Sequence, residues 1–439
     1  MSPFEITALM FTSMVILMLL GVPITFCLGS VGVLSTYFLW GAFALDGIYF
    51  AMVDLMSNIV LTALPLYLFM GFLLHYSGIA GEMFDTIYKW AGGLRGALGM
   101  GTVAVCALMA AMVGISGATV LSLGTIVVPA MLAKGYNKRL TVGLVMSGGA
   151  LGFLIPPSMM MIMYGFLSDV SVGKLFAGGV VPGLILATTY IIYIGIRCLL
   201  NPKLGPALPP EQRASFPEKI SSLKYIALPL LVAGGIMISI FSGFASPTEA
   251  AALGCALVLI GSSLQGKMNR EILTQATVRT FELAGFAGYI IIGALIFSKT
   301  YTGLGATALI RNVVVGSEIN PWYVLIAMQL SFFALGMFLD DIGILFMCMP
   351  IYVPIIKGLG FDPAWFGILY VLNMQMAYLT PPYGLNLFYM KAVAPPSITI
   401  KDIYISIFPF LIIQLCMLIL CMVFPEIITW LPNYLFSAG

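Results

Sequence analysis

Two aspartates, Asp340 and Asp341, stand in the middle of the apolar region 321–357. Ser116 lies a fixed 225 residues before Asp341, at the matching place in the apolar region 97–133, with Thr119 beside it. Carboxylates inside a membrane are costly and mark ion or proton paths. Hydroxyl, carboxylate and carbonyl oxygens are also the ligands that hard cations take. A second constellation follows each of these places: Gly148, Gly149, Gly152 and the pair Pro156-Pro157 in the first copy, and Thr380, Pro381-Pro382, Gly384 and Asn386 in the second. Proline removes a backbone donor, so a helix should break at each pair. A broken helix offers carbonyls to a cation and a helix N-terminus to an anion. Thr380 and Asn386 add side-chain oxygens.

The spacing is a repeat. Pro129 recurs as Pro354, Gly135 as Gly360, Tyr164 as Tyr389, Gly78 as Gly303 and Phe72 as Phe297. Duplicated hydrophobic units interrupted by proline and glycine point to the binding site of a secondary transporter. A single proline pair would read as a kinked structural helix; two at equivalent positions favour a site. The aspartates have a plainer reading too, as caps on the half-helix that follows them. Capping and ion binding are compatible.

Composition fixes the setting. The chain is 61% hydrophobic and 8% charged over 439 residues, against about 25% charged in ordinary soluble chains. Continuous apolar runs of membrane-crossing length imply an all-α polytopic membrane protein, and the absence of alternating polarity argues against a β-barrel. A net charge of +2 gives no reason to expect a nucleic-acid partner. No Walker sequence is present. The seven cysteines show no CxxC spacing and read as small hydrophobes rather than a transition-metal or disulfide set. The run Ile6 to Leu20 lacks a basic leader and is read as a retained helix.

Spans are expected near 5–20, 22–40, 58–78, 140–165, 174–198, 225–242, 247–264, 281–299, 364–390 and 403–424. Regions 97–133 and 321–357 break in the middle, at Gly114–Thr119 and Gly336–Asp341. Each half falls near or below the ~20 residues needed to cross, so both are read as re-entrant helical hairpins, which must be buried in protein or line water. With that topology fifteen Lys and Arg fall on one side, and Lys174, Lys299, Arg311 and Lys357 on the other. The rich side is then cytoplasmic. The two repeats become inverted and both termini periplasmic.

The domains expected are N-terminal scaffold helices (1–57), repeat 1 (58–198, hairpin 97–133, broken helix 140–165), a cytoplasmic linker with central scaffold helices (199–280), repeat 2 (281–424, hairpin 321–357, broken helix 364–390) and a C-terminal tail (425–439). Within the third of these, 265–280 is read as an amphipathic stretch on the cytoplasmic surface. Ser246-Pro247-Thr248-Glu249 fits a capping box, a structural role for Ser246 and Glu249. His75 has no partner pattern and is read as a satisfied interfacial residue. The 28 methionines are read as adaptable packing. No nucleophile–base set, HExxH or paired catalytic carboxylate stands out, which argues against an enzyme.

These residues resemble the large membrane subunit (M subunit, DctM-like) of TRAP, the tripartite ATP-independent periplasmic transporters. The resemblance rests on Gly114–Thr119, Pro129, Lys134–Arg139, Gly149–Ser158, Ser246–Ala251, Thr380–Asn386 and Gly21-Val22-Pro23. It implies a sodium-driven secondary importer of a small organic anion in the bacterial inner membrane, moving a transport domain against a scaffold as an elevator. It implies no cofactor, with Na+ as the coupling ion. The expected partners are a small four-helix membrane subunit on a separate chain, a periplasmic substrate-binding protein and the lipid bilayer.

Family sodium sites lie between each hairpin tip and its own broken helix. Carried over, this pairs Ser116 with Gly148–Pro156, and Asp340 or Asp341 with Thr380–Gly384. Many family members carry Glu just before the TPP motif where this chain has Gln375, so no charge-based role is carried to that position. The alternative is a stand-alone sodium and organic-anion symporter that needs no receptor.

Overall fold

The structure, a computed structural model, describes residues 2–308, 312, 316 and 319–436. Arg311, counted above on the charge-poor side, lies outside them. Every regular element among the described residues is helical, and eight helices are long and apolar enough to cross a membrane.

The chain opens with α1 (Pro3–Leu19), α2 (Ile24–Ser35) and α3 (Leu45–Met56). Repeat 1 follows as α4 (Ala63–Tyr76), α5 (Ile79–Ala91), α6 (Ala97–Val113), α7 (Ser116–Ala133), α8 (Lys138–Ala150), α9 (Met159–Ser168) and α10 (Val172–Leu200). Then come α11 (Phe216–Ser222), α12 (Lys224–Phe241), α13 (Pro247–Leu264) and α14 (Arg270–Gly303). Repeat 2 continues as α15 (Pro321–Gly336), α16 (Asp341–Gly358), α17 (Pro363–Ala377), α18 (Leu385–Val393) and α19 (Ile400–Val423), with α20 (Glu426–Phe436) last.

The breaks are set by local chemistry. Residues Gly114–Ile115 separate α6 from α7, and residues 337–340 separate α15 from α16, so each pair folds as a hairpin. Asn137 caps α8 by accepting from the amides of Arg139 and Leu140. Asp362 caps α17 by accepting from Ala364, with Pro363 at the first helical position. Both proline pairs are cis and separate α8 from α9 and α17 from α18.

Packing is reciprocal between the halves. Helix α2 packs on α14 as α13 packs on α4, and α7 packs on α18 as α16 packs on α9. Two of these pairs bring in α2 and α13, which lie before the repeat boundaries expected at 58 and 281. Counting each broken helix as one crossing, five crossings separate the hairpins, so they enter from opposite faces: the repeats are inverted.

Three elements depart from expectation. Residues 265–280 do not form a separate surface stretch; from Arg270 they are the first turns of the 34-residue α14, about 51 Å long. The Asn269 side chain caps it by accepting from Ile272, and no proline or glycine interrupts the helix before Gly285. The C-terminal tail is largely the helix α20, which packs on α10 and buries Ile428. The proline-rich segment after α10 is a strap. Its Leu204 and Gly205 carbonyls accept from the amides of Asn137 and Gly96, 2.9 Å each, at the two ends of the first hairpin.

Ser246 and Glu249 form a reciprocal cap on α13, Glu249 N to Ser246 Oγ at 3.3 Å and Ser246 N to Glu249 Oε2 at 2.7 Å. His75 hydrogen-bonds Ser122 of the first hairpin.

Candidate functional site

At the first hairpin tip, Gly114 adopts φ +65° and Ile115 is extended, which turns the chain into α7 at Ser116. A side chain at Gly114 would be left-handed and would also place Cβ 2.5 Å from the Pro157 carbonyl oxygen. The tip therefore lies directly against the first break. Gly149 allows the same approach one turn away, where a Cβ would sit 2.5 Å from Val120. Gly152 faces the backbone of Ile115 and Ser116, and Gly148 faces Cys106 of α6.

This half is closed. Ser116, Thr119 and the whole run 148–158 are buried. Thr119 returns its hydroxyl to the Ile115 carbonyl at 3.3 Å. Proline at 156 and 157 deprives the carbonyls of Gly152 and Phe153 of their helical donors. No other amide among the described residues donates to either. Ser147 and Ser158, which bracket the break, are fully buried with hydroxyls lacking any partner. Buried polar atoms are almost always hydrogen-bonded, so this concentration of unpaired oxygens suits a ligand or an ion.

The second half is built differently. Asp340 caps α16 by accepting from the Ile342 amide at 3.2 Å. Asp341 accepts from the same amide at 3.0 Å and from the Tyr378 hydroxyl at 2.9 Å. Tyr370 donates to the Asp341 carbonyl at 2.6 Å. The Tyr383 amide reaches the Met337 carbonyl at 3.2 Å, tying the second break to its own hairpin tip. Thr380 spends its hydroxyl on Met376 within its helix, at 2.8 Å, and the Gly384 amide donates to the Thr380 carbonyl at 3.1 Å. Pro382 and Tyr383 are exposed, whereas their counterparts in the first break are buried. The second break is thus the more open of the two.

The Asn386 amide stays at the second break, donating to the Tyr378 carbonyl at 3.1 Å, while its side chain reaches the other half. Its Nδ2 lies 2.7 Å from Ser116 Oγ and 3.3 Å from the Met146 carbonyl, with Oδ1 3.0 Å from Ser116 Oγ. The cause is the reciprocal packing that lays α18 on α7. Phe153 and Tyr378 make a second bridge, ring centroids 4.6 Å apart and edge to face. The ring of Tyr389 fills the space over Gly117.

Sequence reasoning did not single out Tyr370, Tyr378 or Phe153. The available signal was position: Tyr378 stands two residues before the Thr380-Pro381-Pro382 run, and Phe153 three before Pro156. Gln375 is fully buried and neither atom of its side-chain amide has a partner.

The chain matches the family described as "Tripartite ATP-independent periplasmic transporter, DctM component" over residues 11–427. It is 31% identical to the C4-dicarboxylate TRAP transporter large permease protein DctM of Rhodobacter capsulatus, covering 97% of this chain and 99% of that protein. It is 33% identical to the protein of the same name from Pseudomonas aeruginosa, covering 86% and 87%. Its fold is also that of the Alcanivorax borkumensis YdaH transporter, whose crystal structure has an unusual topology. There the TM-score is 0.59 at 15% identity, over 88% of this chain and 90% of that one. With this match along its length and the hairpins and broken helices in place, the chain belongs to the tripartite ATP-independent periplasmic transporters, as their DctM-type large permease.

Proposed function

We propose that this permease is a sodium-coupled importer of a small organic anion, which it receives from a periplasmic substrate-binding protein and carries by an elevator movement. The observation that carries the reading is the meeting of both hairpin tips with both helix breaks, one half rich in unpaired neutral oxygens and the other in carboxylates.

Sodium is a hard cation that takes oxygen ligands. Around Ser116, the hydroxyls of Ser116 and Thr119 and the carbonyls of Gly152 and Phe153 supply neutral oxygens. Around Asp341, the carboxylates of Asp340 and Asp341 supply charge. The organic anion enters past Pro382 and Tyr383 and is held at the N-terminus of α18, which begins just after Gly384 and carries Asn386 in its first turn. C4-dicarboxylates, named for both relatives, are the first substrates to try. A small four-helix subunit on a separate chain completes the membrane unit. The protein sits in the bacterial inner membrane with both termini periplasmic.

Uptake into proteoliposomes containing the permease and its small subunit tests this. The expected result is accumulation of labelled substrate only with inward-directed sodium and only with loaded receptor. Uptake at equal rate without a sodium gradient would sink the coupling, and uptake indifferent to the receptor would sink the tripartite mechanism.

A further inference from the structure

Away from the hairpins, a cavity of about 270 Å³ lies between the start of α8, the end of α10 and the second and third turns of α19. Arg139, Arg197, Tyr193 and Ser406 are among its lining residues, and Leu204 of the strap closes it. The sequence assembles it from helix ends: Asn137 caps α8, Arg197 lies in the last turn of α10, and the Thr399–Asp402 capping box starts α19.

The charges do not cancel. Asp402 is the one carboxylate ion-paired there among the described residues, held by Lys138 at 2.6 Å and by Arg139 Nε at 3.0 Å. That leaves three cations against one anion. Arg197 lies over the Tyr193 ring at 6.0 Å. No acceptor among the described residues meets its nitrogens, nor the Nη atoms of Arg139. Beside the guanidinium groups, Ile196 on α10 is apolar and exposed, and the half-buried Ile405 and Pro409 of α19 line the cavity.

A cavity with two guanidinium groups, at helix ends and flanked by apolar side chains, matches an anionic headgroup whose acyl chains run along the helices. We propose that it is a phosphoryl-binding site for an anionic phospholipid headgroup. The Arg197 guanidinium and the Nη atoms of Arg139 meet phosphate oxygens, and the acyl chains lie against Ile196, Ile405 and Pro409. The site is independent of the transport reading and of its sodium sites.

The test uses the full chain purified in detergent, with melting temperature and lipid co-purification as readouts. Phosphatidylglycerol is titrated against phosphatidylethanolamine and, separately, against inorganic phosphate. Phosphatidylglycerol is expected to raise the melting temperature of the native chain, and Arg197→Gln to weaken its binding about fivefold. Arg279→Gln, which alters an exposed pair with Glu282 outside the cavity, is expected to respond as the native chain does. Arg139→Gln should weaken binding as well, but it also loosens Asp402, so Arg197→Gln carries the decision. A shift produced by inorganic phosphate alone, and lost in Arg197→Gln, upholds the phosphoryl site and assigns it to free phosphate. Equal stabilisation of the native chain and both cavity variants by phosphatidylglycerol overturns the proposal.

Discussion

Asn386 and Ser116 hydrogen-bond across 270 residues of sequence, with Asn386 Nδ2 2.7 Å from Ser116 Oγ and both side chains fully buried. One residue belongs to the second broken helix and the other to the first hairpin. The two halves of the site are thus joined by a direct polar contact. Removing one partner of a buried hydrogen bond leaves the other unsatisfied, at about 1–3 kcal/mol. Asn386→Ala and Ser116→Ala should each lower thermal stability and uptake, and the double variant should lose less than the sum. A double-mutant cycle on melting temperature and transport rate checks this. Strict additivity would show that the contact does not couple the halves.

Asp341 is held by Tyr378, and Tyr378 packs on Phe153 of the other repeat. If Asp341 binds sodium, Asp341→Asn should raise the sodium concentration for half-maximal uptake by at least about tenfold. Tyr378→Phe removes one buried hydrogen bond to Asp341, worth about 0.5–1.5 kcal/mol, and should raise the same half-maximal concentration about twofold to tenfold. A hydroxyl that orients the carboxylate toward sodium gives weaker sodium binding in the variant. Sodium titration of uptake in proteoliposomes decides it; an unchanged half-maximal concentration in Asp341→Asn removes that residue from the ion site.

The repeat was legible because identical spacing of proline and glycine survives in sequence, and Ser116, Asp341 and both proline pairs fall where the two halves meet. The contact of Asn386 with Ser116 is not legible in the sequence, for a physical reason. Spacing along the chain pairs each tip with its own broken helix, whereas reciprocal packing lays α18 on the other hairpin. Tyr378 and Phe153 were illegible because an aromatic residue in an apolar run looks the same whether it packs in a core or braces a carboxylate. The strap was read as a linker because proline-rich sequence gives no sign that its Leu204 and Gly205 carbonyls have partners in the first hairpin.

Gly114 should tolerate no side chain. Its left-handed backbone costs an L-residue about 1–2 kcal/mol, and a Cβ would collide with the Pro157 carbonyl. Gly114→Ala should push the tip away from the break, with uptake falling further than stability. Uptake per folded molecule, with folding judged by monodisperse elution and melting temperature, is the measurement. Native transport in Gly114→Ala would mean that the tip need not touch the break.

The charges predict sidedness, and chemical labelling reads it directly. Lys138 and Arg139 meet Asp402 at one end of the molecule. Lys357 donates to the Ser168 carbonyl, 3.2 Å away, close to the start of the helix that carries Lys174. Positive charge gathers on the cytoplasmic side, which predicts the first group inside and the second outside. Cysteine substituted at Lys401 should react with an impermeant maleimide only in inside-out vesicles, and cysteine at Lys174 only in whole spheroplasts. Cys416, the exposed native thiol, is replaced first; it lies within the apolar α19 and should itself resist the reagent from both sides. Labelling of both engineered positions from one side would require an even number of crossings between Lys174 and Lys401. The hairpins would then enter from the same face, and the inverted arrangement on which alternating access depends would be lost.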